Sequence, residues 1–337
     1  MIAFITTGST HRYRRDILRA IAQPPGSLLQ FRYDRNLVSG TVIKRVSESG
    51  LQNDRCLVVY WDEEAPKGTP NLIPCRFGRI IQSGVPGTIV TIEFRLEGYA
   101  YAEDLNAFRK EFQDLGLIDV EGKCEILVNP IPLALTKVVE STEIAVWQSL
   151  VSQLAPRPKF VGEDFFFTLD SIARRKPRKQ LELQGGKLEL DSGSEYDLGF
   201  FVYHPDHPDK ASLDGRINLL SSHEALMTSS GAPIVVDSPY DYTYARLRTG
   251  TPDEKQHATL TIQLETSKHL ESMNFVLDMP VKGAWRRIAG GIVLVGLLLA
   301  LPQLITWIST EWLRRTITLV SQLVAAAVVA LGLKKIR

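Results

Sequence analysis

Ile288 to Ile308 runs for 21 residues without a formal charge. As an α-helix that stretch would be about 31 Å long, close to the roughly 30 Å hydrocarbon core of a bilayer. Thr316 to Leu333 adds 18 uncharged residues, softened by Ser321 and Gln322. The seven residues between them, Ser309 to Arg315, carry Glu311, Arg314 and Arg315. The pattern predicts a two-helix transmembrane hairpin over 285–337, with spans at 288–308 and 316–333 and the charged residues in its turn. Lys282, Arg286, Arg287, Lys334, Lys335 and Arg337 flank the spans against two arginines in the turn, which predicts cytosolic N- and C-termini. Trp285, Trp307 and Trp312 fall where interfacial aromatics are expected.

Inside the expected hairpin, Gly290, Gly291 and Gly296 on one helix and Ala325, Ala326 and Ala327 on the other permit close helix contact. Gln303, beside Pro302, places an amide at membrane depth, where a partner across a helix contact satisfies it best. A homo-oligomer is the expected assembly.

Charge is divided along the chain. From Lys282 onward there are eight basic residues and one acidic one, which leaves 31 basic against 37 acidic residues in 1–281. A body of that sign is a poor binder of phosphate backbones, so nucleic acid is an unlikely partner, whereas the basic C-terminal part is drawn to a lipid bilayer. Cys56, Cys75 and Cys124 form no CxxC and are odd in number, which points to neither a disulfide framework nor a zinc site. No glycosylation sequon occurs, and the first apolar run is too short for a secretory signal.

The remainder divides near "APRPKF" at 155–160. Before it, "IAFIT", "LLQFRYD", "TVIKRV", "CLVVYWD", "IPCRFGRIIQ" and "TIVTIEFRL" read as strands. Helical spacing recurs at Tyr13, Ile17 and Ile21, at Leu105, Phe108, Phe112 and Leu115, and at Ile144, Trp147, Leu150, Val151 and Leu154, with Ser141 as a candidate cap. After it, "KQLELQGGKLELD", "YDLGFFVYH", "APIVVDS", "YTYARLR", "ATLTIQLE" and "MNFVLDMPV" follow at hairpin spacing. The expected fold class is an α+β N-terminal domain over 1–155 (a small curved sheet or barrel with helices), followed by an all-β antiparallel, immunoglobulin-like sandwich over 158–281 and the C-terminal transmembrane hairpin.

"TTGSTHRYRRD" places Gly8, Ser9, Thr10, Arg12 and Arg15 at a strand-to-helix junction, where free N–H groups can receive an anionic ligand. It lacks the spacing of a P-loop, and a plain strand, cap and helix uses the same residues. "ARRKPRKQ" gathers Arg174, Arg175, Lys176, Arg178 and Lys179 into a lipid or anion patch, with a solvated loop as the simpler reading. His204, Asp206, His207 and Asp209 are metal-ligand types, but the two prolines among them read first as a turn, so no metal is expected. Cys75 precedes Arg76, whose charge can lower a thiol pKa; inert strand packing is the default for a cysteine with no placed base.

No GxSxG, HExxH or paired-carboxylate motif occurs, and no cofactor is implied. The expectation is a membrane-anchored, non-enzymatic sensor or effector. Its cytosolic domains would bind an anionic small ligand or a protein partner, and its hairpin would anchor, oligomerise and perturb the membrane. Bacterial stress and phage-defence effectors share that plan as an analogy of architecture. The alternatives are a tethered enzyme with its site in the N-terminal domain and a scaffold that recruits proteins through the sandwich.

Overall fold

The computed structural model describes residues 1–7, 11–65, 71–117, 128–130, 135–158, 160, 165–204, 215–228, 233–236, 240–266, 273–284, 295, 311–312, 315–320, 322 and 324. The first half comprises β1 (Ile2–Thr7), α1 (His11–Ala22), β2 (Leu28–Asp34), α2 (Gly40–Glu48), β3 (Arg55–Trp61), β4 (Leu72–Gly84), β5 (Ile89–Tyr101), α3 (Leu105–Asp114), β6 (Val128–Pro130), β7 (Val139–Ser141) and α4 (Ile144–Leu154). Its strands form one seven-stranded sheet in the order β2-β5-β4-β3-β1-β6, with β7 paired to β5. β1 and β3 are parallel, in register from Ile2–Cys56 to Thr7–Trp61, and their carboxyl ends lie side by side.

The second half comprises β8 (Phe166–Arg174), β9 (Lys179–Gln180), β10 (Glu195–Tyr203), β11 (Gly215–Ser221), β12 (Leu226–Thr228), β13 (Ile234–Val236), β14 (Tyr240–Thr249), β15 (Thr259–Thr266) and β16 (Met273–Asp278). They make a five-stranded sheet, β12-β14-β10-β8-β9, and a four-stranded sheet, β13-β11-β15-β16. Phe167 of β8 stacks on Phe275 of β16 at 5.8 Å, joining the two sheets face to face as expected of a sandwich.

One apolar core serves both halves. Ile17 and Ile21 of α1, Val42 and Val46 of α2 and Leu150 and Leu154 of α4 cover one face of the first sheet, and the same buried cluster continues through Phe167, Phe200 and Val281. α3 closes the opposite face with Phe108 and Phe112 over Ile5, Leu57 and Val59. Each buried aromatic or branched side chain in these layers contributes about 1.5–3 kcal/mol. The halves are also bonded: Thr168 of β8 donates to the Ala22 carbonyl at 3.2 Å, and Arg19 of α1 donates to the Asn274 carbonyl at 3.0 Å and its side chain at 3.2 Å. Ala155 and Phe160, in the stretch read as a domain junction, are buried in this shared core.

Two expectations require correction. The chain is mostly β, with three sheets and few helices; the second half is consistent with the expected sandwich, but the α+β class and the membrane hairpin are not supported. Among the described residues no helix is long and apolar enough to cross a membrane. The two-span localisation, and the membrane-perturbing role built on it, are therefore not supported. Part of the expected turn and the start of the expected second span are helical, at Glu311, Trp312 and 315–320. Arg315 reaches Glu311 at 3.1 Å, and the Thr316 hydroxyl donates to the Trp312 carbonyl at 2.9 Å, both at the four-residue spacing of a helix. A charge-free run records only that its residues do not demand water; what buries it is decided by its neighbours. Gly290, Gly291, Gly296, Gln303, Ala325, Ala326 and Ala327, expected as membrane helix contacts, lie outside the described residues.

"TVIKRV" is the second correction, because it is part of α2 and not a strand. Its β-branched residues mask a helical period in which Val42 and Val46, four apart, face the core while the Ser39 hydroxyl accepts from the Val42 N–H at 3.4 Å. Helix spacing outweighs β propensity where a cap is present.

Candidate functional site

The carboxyl ends of β1 and β3 expose their last side chains to one face of the first sheet, the face covered by α1 and α4. Thr6 pairs with Tyr60 there, and Arg76 of β4 pairs with Val58 on β3 and Tyr99 on β5. Paired residues share a face and residues two apart on a strand share it too, so Thr6, Val58, Tyr60, Arg76 and Tyr99 belong to one surface. The register shift between Val58 and Val59 is what turns Arg76 inward where simple alternation would have sent a neighbour.

Arg76 is fully buried, and its Nε, Nη1 and Nη2 have no hydrogen-bond partner among the described residues. The guanidinium lies flat over the Tyr99 ring with Cζ 3.9 Å from the centroid. Such stacking is worth about 2 kcal/mol when desolvated, less than the several kcal/mol needed to remove an unpaired ion from water. Burial accordingly pulls the Arg76 pKa down, with Tyr99 opposing the shift. Tyr99 is itself fixed: Thr168 spends its proton on the Ala22 carbonyl, so the Tyr99 hydroxyl donates to Thr168 at 2.8 Å.

Two further polar groups on this face are equally unsatisfied. The Thr6 and Tyr60 hydroxyls are buried with no hydrogen-bond partner among the described residues. Tyr60 packs edge-on against Phe160 at 5.0 Å, and burial, reinforced by Asp62, pushes its phenol pKa up, so it remains a proton donor. Tyr60 is a diagonal neighbour of Arg76 across the β3–β4 pair, a separation of about 7–8 Å that a long side chain spans. One face of the sheet thus carries a planar cation, turned toward β5, and two buried hydroxyls on β1 and β3, none with an acceptor among the described residues, which is chemistry of the kind that suits an oxyanion. Just beyond, Asp62 is buried, accepts from the Glu64 N–H at 3.2 Å and pairs with Arg157 at 3.5 Å, which fixes the turn after β3.

The residues expected to form the anion site stand as follows. Gly8, Ser9 and Thr10 lie outside the described residues; Arg12 and Arg15 are in the first turns of α1, which follows the carboxyl end of β1. Arg76, mentioned in the sequence only for its effect on Cys75, is the buried cation. The signal in the sequence is an arginine between the apolar Cys75 and Phe77 in "LIPCRFGRII", both of them buried; Arg79 in the same strand is paired with Glu97 at 3.0 Å and is not buried, so the signal alone does not single out Arg76.

Cys75 is not a nucleophile. Its thiol donates to the Ile73 carbonyl at 3.3 Å, and burial raises its pKa to about 12 despite a hydrogen bond from the Tyr60 backbone. Cys56 is also buried and raised well above its ordinary value by burial, then by Glu97. In a Cys124→Ser variant the native protein should release no thionitrobenzoate within minutes at pH 8, with both thiols reacting once urea unfolds it. Rapid release from the native state would restore Cys75 as a candidate nucleophile.

In the expected basic patch, Arg174 is bound to Asp191 at 2.6 Å and Ser194 at 3.0 Å, and Arg175 to Glu195 at 3.1 Å and Asp197 at 3.4 Å. These pairs fasten the β8–β9 turn to β10. Lys176, Arg178 and Lys179 remain exposed on that turn. His204 is buried edge-on against Phe165 at 5.8 Å, and Asp206, His207 and Asp209 lie outside the described residues. Among the described residues no group of three metal-ligand side chains converges.

No protein-family model matches the chain, and no curated protein matches it. One similar solved structure is a CsuC–CsuE chaperone–tip adhesion subunit pre-assembly complex from Csu pili of Acinetobacter baumannii, at TM-score 0.22 and 8% identity over 31% of this chain and 52% of that one. Another is a family 123 glycoside hydrolase from Clostridium perfringens, at TM-score 0.21 and 10% identity over 30% of this chain and 23% of that one. The chain thus spans about half of the first and under a quarter of the second. Overlays this distant carry no functional argument.

Proposed function

We propose that the chain is a non-enzymatic binding protein that senses a small anionic ligand on its N-terminal sheet, with Arg76 as the principal contact. The observation that carries the reading is a guanidinium with no exposed surface and three nitrogens that have no partner among the described residues. A protein stable by only about 5–15 kcal/mol rarely retains an uncompensated buried ion without a use for it. An oxyanion supplies the missing charge and acceptors, and the Thr6 and Tyr60 hydroxyls donate to it beside the carboxyl ends of β1 and β3. That is the edge at which ligands enter sheets with parallel strands.

Ligand occupancy has a direct route to the sandwich. Arg76 lies on Tyr99, Tyr99 donates to Thr168 on β8, and Thr168 holds the end of α1. An anion that draws the guanidinium off the ring would change the contact joining the two halves. The same site offers no placed base, and Cys75 is inert, so binding accounts for these residues better than catalysis.

The test is thermal unfolding of the wild type and Arg76→Met with phosphate, sulfate, small carboxylates and nucleotides. At least one anion should raise the wild-type midpoint saturably, by the amount that mass action requires, and leave Arg76→Met unmoved. If no anion in the panel separates the two proteins, the anion reading is wrong.

A further inference from the structure

A groove of about 650 Å³ lies on the far side of the basic turn, between residues 179–191 and the segment 280–282. That volume is within the range of about 300–1,000 Å³ that small-molecule sites occupy. Five cationic and three anionic side chains line it. Along its wall runs a chain of ion pairs: Arg174 to Asp191 at 2.6 Å, Asp191 to Lys282 at 3.0 Å, Lys282 to Glu189 at 3.6 Å and Glu189 to Lys255 at 2.7 Å. Three cations share two carboxylates, so one positive charge is left over however the pairs are drawn. Lys179, also on the lining, forms no ion pair among the described residues; Glu182 balances its charge in the count and Lys187 is paired with Asp278 at 3.3 Å, so the lining keeps a net surplus of one positive charge.

We infer that this groove binds a small multivalent oxyanion, phosphate or carboxylate in chemistry, held by Lys179, Lys255 and Lys282. Lys255, Lys282 and Glu189 are each about half exposed, at 52, 48 and 45%. Ion pairs that open to water are worth about 1 kcal/mol or less and re-partner readily. An incoming oxyanion therefore takes over Lys255 and Lys282 from Glu189 at small cost, whereas the less exposed Arg174–Asp191 pair keeps the wall in place. The concave shape concentrates the field of the surplus positive charge on the ligand. Lys282 is held at the backbone as well, its N–H donating to the Leu190 carbonyl at 2.8 Å, so its ammonium is presented from a fixed strap.

Glu189 provides the decisive test because it competes with the ligand for the same two lysines. Calorimetric titration uses the full chain in the Arg76→Met background, which removes the buried arginine from the measurement, with pyrophosphate and citrate as separate probes. Binding of pyrophosphate alone assigns phosphate chemistry, binding of citrate alone assigns carboxylate chemistry, and binding of both assigns charge density. Lys179→Gln and Lys255→Gln should each weaken binding by about threefold or more, added salt should weaken it further, and Glu189→Gln should tighten it by a similar factor. Lysines with a purely structural role would give no such tightening. Failure of both probes to bind at millimolar concentration, or weaker binding by Glu189→Gln, overturns the inference without touching the Arg76 site.

Discussion

Trp147→Ala should destabilise the protein by about 3–5 kcal/mol, the range for removing a large aromatic from a packed core. Trp147 is the largest fully buried side chain and stands where three elements meet. Its indole N–H donates to the Ile21 carbonyl of α1 at 2.9 Å, and its ring meets Phe201 at 5.6 Å and Tyr203 at 6.4 Å, both on β10. The substitution opens a cavity at the seam between the halves and leaves a buried carbonyl unpaired, so the two costs add. Trp147→Phe retains much of the ring packing and loses the hydrogen bond, and should cost less than the alanine variant. Urea unfolding followed by far-ultraviolet circular dichroism measures both. A loss below about 1 kcal/mol for Trp147→Ala would mean that the halves are held together elsewhere.

Arg76→Met should have the opposite sign, stabilising the ligand-free protein by about 1–4 kcal/mol, as hydrophobic replacement of buried charge has done in other proteins. The methionine fills much of the arginine's volume with an adaptable chain and can keep contact with the Tyr99 ring. What it removes is an ion whose three nitrogens have no acceptors. The lost stacking of the guanidinium on Tyr99, about 2 kcal/mol, is smaller than the desolvation it only partly offsets, several kcal/mol for an unpaired ion. A variant that is more stable and does not respond to anions would show the arginine to be kept for binding. Should Arg76→Met instead lose more than about 1 kcal/mol, the guanidinium would have structural support and the anion site would fall with it.

Individual elements differ in how far local sequence described them. α3 and α4 were legible because Phe108 and Phe112, or Trp147, Leu150 and Leu154, recur at helical spacing and are the residues found buried. Inner strands of the sandwich were legible where alternation was clean, as in β14 and β15. α2 was misread because Thr41, Val42 and Ile43 are β-branched, and the Ser39 cap that decides the matter is a three-residue interaction. In "KQLELQGGKLELD" Gly185 and Gly186 make the expected tight turn, across which Gln184 and Lys187 exchange both backbone hydrogen bonds at 2.8 and 3.1 Å, but the local pairing stops there and only Lys179–Gln180 forms a strand of a sheet. Gly186 is instead pressed against Leu28, where a Cβ would come within 2.5 Å of that side chain, and its N–H donates to the Gly26 carbonyl at 3.1 Å. Beyond the Gln184–Lys187 pair, bridges from Lys187 to Asp278 and from Leu190 to Val281 take the place of further local pairing.

The sequence by itself determined the local periodicities, the division into a helix-bearing half and a strand-rich half, and the acidic balance of residues 1–281, because each is a property of neighbours along the chain. Only the tertiary structure decided that β1 and β3 run parallel, that one core serves both halves and that no described helix is long and apolar enough to cross a membrane. It alone turned Arg76 from a charged strand residue into a buried cation over Tyr99 and gathered Lys179, Lys255 and Lys282 around one groove. The physical reason is common to both sites. Whether a charge is solvated, paired or left waiting for a ligand depends on groups from distant parts of the chain, and no spacing along the sequence encodes their arrival.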